Sequence, residues 1–154
     1  MRRDEDFSAS VSALWLAVAR DAIRGGGPAD RGEDSFIQGY ANGLHYAPND
    51  RHAGTRDELM HAADLVRVGL AGTLRDYRMV DRNGAEVPLS GIDYKGQPAG
   101  YAAQPGEVVN YVENHDNQTL FDVDVFKLPL DTTPRERARV QLLALALNAF
   151  SQGT

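Results

Sequence analysis

Residues 113–117 read Glu-Asn-His-Asp-Asn and follow directly on an apolar run, residues 108–112. A short apolar run bounded by turn residues predicts a buried parallel strand. A strand that ends in a burst of polar side chains and leads into a helix is how α/β barrels present active sites, with the strand body packed and its carboxyl end reactive. Asn114, His115 and Asp116 stand at that end. A carboxylate accepts from hydroxyls and amides, and a neutral imidazole can donate to an oxygen. The plainer reading is a polar strand-to-helix turn in which Asp and Asn serve as local caps, and spacing does not choose between the two. A metal centre is the weakest reading. His45, His52 and His61 lie far off in predicted loop and helix, and zinc sites want several His or Cys ligands.

The elements that would position these residues can be read on both sides. Residues 13–24 are apolar with Arg20, Asp21 and Arg24 near their end, and predict a helix stopped by Gly25-Gly26-Gly27-Pro28. Residues 25–54, rich in Gly, Asp, Asn and Pro, predict a loop with Phe36, Tyr40 and Tyr46 as aromatic anchors. Thr55 and Glu58 form a capping box ahead of a helix whose apolar stripe runs from Leu59 to Leu70, with Gly69 and Gly72 at its end. Residues 77–80 and 86–89 flank Asp81-Arg82-Asn83-Gly84 and predict a hairpin. Residues 92–105 read as loop. Residues 118–126 predict a short helix capped by Asn117. Thr133, Pro134 and Glu136 start a last helix, whose wide apolar face extends through Phe150.

Composition narrows the class. The chain of 154 residues is long enough for one modest core but too short for a whole (β/α)₈ barrel, which needs roughly 250 residues. A formal net charge of −6, with no basic stripe, argues against nucleic acid as a partner. There is no cysteine, so disulfides and thiolate metal sites are excluded. No apolar run reaches the roughly 20 residues of a membrane span, so no membrane partner is expected. Arg2 and Arg3 precede the run 11–19, which ends Ala17-Val18-Ala19 like a secretory signal. Asp4, Glu5 and Asp6 make its leading segment acidic, and the compartment stays open.

Residues 109–122, VNYVENHDNQTLFD, resemble the His-Asp strand motif of the alpha-amylase superfamily in its pullulanase-type form. The resemblance extends to RDAIRGGGP at 20–28, FIQG at 36–39, AADLVRVGL at 62–70, IDY at 92–94 with GQPAGY at 96–101, and KLP at 127–129. It implies an α/β fold: an incomplete (β/α)₈ barrel from near strand six to the helix after strand seven, over residues 20–154. Residues 1–19 form a divergent N-terminal segment. It implies a starch-debranching hydrolase acting on α-1,6 linkages in pullulan, amylopectin or glycogen with retention of configuration. No cofactor is implied, and calcium in a full enzyme cannot be read here. Carried over, Asp116 is the acidic residue that stabilises the transition state through sugar hydroxyls. His115 and Asn117 bind the substrate, with Asn114, Asp93 and Tyr94 as further contacts. The family's nucleophile and acid/base patterns, an Arg-x-Asp after a strand and a Glu at a Gly-rich strand end, have no match in this sequence. The chain alone is therefore expected to be inactive. The alternatives are a non-catalytic glucan-binding remnant, or part of an isoamylase or α-amylase relative.

Overall fold

The computed structural model describes residues 18–27, 30–114 and 118–153. Four helices and two small hairpins follow in the order α1 (Val18–Arg24), α2 (Arg56–Leu70), β1 (Arg78–Val80), β2 (Glu86–Pro88), β3 (Asp93–Tyr94), β4 (Gln97–Pro98), α3 (Leu120–Lys127) and α4 (Pro134–Ala149). Short 3₁₀ turns at Gly32–Phe36, Leu89–Gly91 and Pro105–Glu107 bridge the longer connections.

The helix starts follow the sequence reading. In α2 the Thr55 side chain accepts from the Glu58 amide while the Glu58 carboxylate accepts from the Thr55 amide, so both arms of the box are made. The Thr55 amide and hydroxyl, which both donate to the Glu58 carboxylate, hold that carboxyl below its usual range. α4 starts the same way with Thr133, Pro134 and Glu136. Removing the hydroxyl in Thr133→Ala frees a first-turn amide and is expected to lower stability by ~1 kcal/mol, read as a lower urea midpoint with unchanged slope.

α1 lies against α2 and builds the centre of the core. Val18, Ala19, Ala22 and Ile23 meet Leu65, Val66 and Val68, with Leu89, Tyr94, Val112, Leu120 and Val123 closing around them. The approach is close because Gly69 has no side chain: a Cβ there would stand 2.5 Å from that of Ala19. The β1–β2 hairpin turns on Asp81 to Gly84 as expected, in register Met79↔Val87. Asp64 of α2, buried, fastens it by accepting from the Arg82 amide and pairing with Arg67.

Several expectations are corrected. Residues 108–112 do not form a strand. Val108 and Val112 are buried while Val109 is 51% exposed, but among the described residues no strand lies alongside to complete a ladder. The described sheets are two antiparallel hairpins, and the one parallel pairing outside them is an isolated bridge between Leu74 and Ala102. Residues 92–105 are not all loop, since β3 and β4 pair as Asp93↔Pro98 and Tyr94↔Gln97. The cap of α3 is Thr119, whose hydroxyl accepts from the Asp122 amide, and the helix runs on to Lys127. The apolar face of α4 is largely uncovered: Ala144 alone in that helix is buried, whereas Leu142 is 67% and Phe150 79% exposed. Of the predicted helix 13–24, residues 13–17 lie outside the described residues.

The loop after α1 is held by amide side chains and by Phe36, whose ring packs edge-on against that of Phe126 at 6.1 Å, but not by its tyrosines. Tyr40 and Tyr46 are exposed, Tyr46 by 83%. Gln38 donates to the carbonyls of Asn42 and Ala47, and Asn49 donates to those of Phe36 and Lys127. A loop that passes through the interior must satisfy its own backbone groups, and amide side chains do this where tyrosine rings cannot.

Candidate active site

His115, Asp116 and Asn117 lie outside the described residues. The segment leading to them is well tethered. Asn110 donates to the Gln152 carbonyl at 2.7 Å. Val108 and Val112 are buried. The Tyr111 hydroxyl accepts from Arg20 Nη1 at 3.1 Å, and the guanidinium carbon stands 5.4 Å from the centre of the same ring. Asn114 is half-buried at the end of this segment.

Arg20 belongs to a buried polar centre built on α1. Its Nε and Nη2 both donate to Asp21 Oδ1, at 3.0 and 2.7 Å. The other oxygen, Asp21 Oδ2, accepts from Tyr94 Oη at 2.8 Å and from Lys95 Nζ at 2.9 Å. Arg20, Asp21 and Tyr94 are all buried. Burial, and then the Asp21 charge, push the Tyr94 phenol far above its ordinary range, so it stays a donor at any working pH. The chain Tyr94–Asp21–Arg20–Tyr111 therefore joins the β3 loop to the segment that carries the motif. Asp93, on the same short strand, points outward instead; it is exposed and accepts from the Gly96 amide at 3.1 Å.

A cleft of about 220 Å³ lies beside this centre, with Asp21, Leu44, His61, Leu65, Tyr94 and Lys95 in its wall. Burial, reinforced by Arg82, lowers the His61 pKa, so the ring is neutral near pH 7 and can serve as donor or acceptor. Among the described residues no group of three or more His, Cys, Asp or Glu is placed to hold a metal ion. Nor is any described helix long and apolar enough to cross a membrane.

The comparisons bear on this segment directly. No protein-family model matches the chain. The pullulanase of Klebsiella pneumoniae is 45% identical to it over 135 residues, 87% of this chain. Chloroplastic pullulanase 1 of Arabidopsis thaliana is 37% identical over 139 residues. The crystal structure of Klebsiella pneumoniae pullulanase with maltotriose superposes at a TM-score of 0.85 with 44% identity, over 89% of this chain and 13% of that one. The chain is homologous to one segment of the pullulanases. It spans 12% of the Klebsiella enzyme and 14% of the Arabidopsis one.

The chain has a second polar centre, under the loop after α1. Lys127 is fully buried; its Nζ donates to the Ile37 carbonyl at 2.6 Å and stands 3.6 Å from Asp30 Oδ2. Asp124 Oδ1 accepts from Asn42 at 3.0 Å, while its Oδ2 is buried without a hydrogen bond. Burial pushes the Asp124 carboxyl up to about 6, against the pull of Asn42 and of the nearby cations. A raised carboxyl favours the protonated fold. Its contribution is fully present below the unfolded value of 3.8 and is lost as pH rises through about 6. The gap corresponds to roughly 3 kcal/mol at most. Asp124→Asn is expected to remove this loss, so the stability of the variant minus that of the parent should grow between pH 4 and pH 7. A difference that stays flat over that range in urea titrations would contradict it.

Arg20, Asp21, Tyr111 and Glu113 were not singled out as site residues from sequence. One signal was present: an Arg-Asp pair inside the apolar stretch Val18–Ile23 is expensive to bury unless paired. The Glu113 carboxylate gave no such signal. It accepts from the Leu120 amide at 2.7 Å and from Gln141 Nε2 at 3.0 Å, partners distant in sequence.

Proposed function

We propose that this chain is part of the catalytic domain of a pullulanase-type glycoside hydrolase, which cleaves α-1,6-glucosidic linkages in pullulan, amylopectin or glycogen with retention of configuration. The observation that supports this is the 45% identity to the Klebsiella pneumoniae pullulanase over 135 residues, 87% of this chain. Residues 20–154 then belong to an incomplete (β/α)₈ barrel, and residues 1–19 form a separate, divergent segment. In that barrel residues 108–112 take the place of strand seven, and α4 is the helix after it.

Asp116 is the transition-state stabiliser in this reading. Its carboxylate accepts from hydroxyls of the reacting sugar, and those bonds tighten as the ring gains oxocarbenium character. His115, Asn117 and Asn114 hold the same sugar. Asp93 is available to a ligand from the outside. Tyr94 contributes from within, because its hydroxyl is committed to Asp21. A glucan as ligand is supported by the maltotriose complex of the Klebsiella enzyme. A retaining mechanism also needs a nucleophile and an acid/base, which this sequence does not match, so the chain alone is inactive.

The test is a hybrid in which residues 20–153 replace the matching segment of the Klebsiella pneumoniae pullulanase. The expected result is hydrolysis of pullulan with the α-anomer formed first, and no turnover by the chain alone. A hybrid that folds yet releases no sugar, or a chain that hydrolyses pullulan by itself, would overturn the reading.

A further inference from the structure

We infer that Glu113 is a positioning residue for the proposed site residues 114–117 that follow it in sequence, an inference that rests on the function proposed above. Its carboxylate binds two elements at once. Oε2 accepts from the Leu120 amide at 2.7 Å, and Oε1 accepts from Gln141 Nε2 of α4 at 3.0 Å. Leu120 opens α3, so its amide has no partner within the helix, and a carboxylate at that end also complements the helix dipole. The amide of Asp122, in the same first turn, donates to the Thr119 hydroxyl.

The consequence is geometric. The chain leaves the tethered segment at Glu113 and re-enters regular structure at Leu120, and one side chain ties those two points together. Asn114 to Asn117, all proposed to touch the sugar, fall between them in sequence. Leu120 is itself buried in the core, so the tie is anchored at its far end. Gln141 of α4 holds the carboxylate from the other side. A displacement of about 1 Å at a reacting group can cost a hundredfold in rate, so the spacing of these two ends governs how well Asp116 meets the transition state.

The experiment uses the hybrid enzyme described above, with kcat and KM on pullulan measured separately. Glu113→Ala is expected to lower kcat by about ten- to a hundredfold with KM within about twofold, because the groups remain but their alignment is lost. Glu113→Gln is expected to restore most of kcat. Its side-chain oxygen still accepts from Leu120, and its amide can donate to Gln141 Oε1, which is buried without a partner among the described residues. Thr133→Ala controls for stability, as it removes a helix cap away from the turn and should leave kcat unchanged. Glu113→Ala with parental kcat would overturn the inference, and so would an equal loss of kcat in Thr133→Ala. Asp116→Asn is run alongside. If it is inactive while Glu113→Ala is fully active, the positioning role fails and the assignment of Asp116 stands. If Asp116→Asn is fully active, the assignment fails and the inference falls with it.

Discussion

Arg20→Ala is expected to destabilise the chain by about 3–5 kcal/mol, the cost of removing one partner from a buried ion pair. The guanidinium is 97% withdrawn from solvent, since Arg20 is only 3% exposed, and every described contact it makes is inside the fold. Its loss leaves Asp21 Oδ1 without either of its described donors, although Tyr94 and Lys95 still hold Oδ2. It also frees the Tyr111 hydroxyl and opens a void beside the ring. Tyr111→Phe isolates that smaller part and should cost about 1 kcal/mol, the worth of a single hydrogen bond. Urea unfolding of both variants separates the terms. An Arg20→Ala loss below about 1 kcal/mol would mean that water replaces the guanidinium without penalty, as at an exposed pair.

The effect matters for function because the Arg20 side chain links α1 to the segment 108–114 that leads to the proposed site. A weakened Arg20–Tyr111 contact loosens the segment 108–114. Tyr111 and Glu113 lie two residues apart in that segment, so their variants are expected to couple rather than add in stability.

How much of this was legible depended on the range of the interactions. The boxes at Thr55 and Thr133 are written within a few residues, and both form as read. The Asp81–Gly84 turn is equally local, and Gly84 takes the left-handed conformation that its position demands. Residues 108–112 gave their burial correctly at Val108 and Val112, but a strand also needs a neighbour, and no described strand runs beside them. The cap of α3 was misplaced because Asn117 and Thr119 are both good caps; the hydroxyl of Thr119 reaches the Asp122 amide. The apolar face of α4 was visible as a pattern, yet a pattern does not say what covers it, and Leu142 and Phe150 are left in water.

The site was legible in its motif and hidden in its supports. His-Asp-Asn at 115–117 stands out by residue type. The pairing of Glu113 with Leu120 and Gln141 does not, because the partners are set by how α3 and α4 pack. Tyr94 illustrates the same limit. Its place in IDY made it a candidate contact, whereas its burial and its bond to Asp21 make it part of the frame. The anchors of the loop after α1 were sought among aromatics. Phe36 is one, against Phe126, and the others are Gln38, Asn42 and Asn49, which can satisfy backbone groups in the interior.

The largest effect on activity is expected at Asp116. A carboxylate that accepts from sugar hydroxyls mainly in the transition state contributes to kcat rather than to substrate affinity. Replacing it by asparagine keeps the size and one acceptor oxygen but removes the charge that opposes the developing oxocarbenium ion. Preorganised groups of this kind are worth about a thousandfold each in a water-excluded site, or roughly 4 kcal/mol. An asparagine side chain can still occupy the space, so the fold of the surrounding turn is not expected to change.

The measurement that decides the matter is kcat for pullulan hydrolysis by the hybrid enzyme and by its Asp116→Asn variant, both verified as folded by their unfolding transitions. A fall in kcat of about a thousandfold with KM little altered is the predicted result. An Asp116→Asn hybrid that hydrolyses pullulan within a few-fold of the parent would show that this strand end does not carry the transition-state contact.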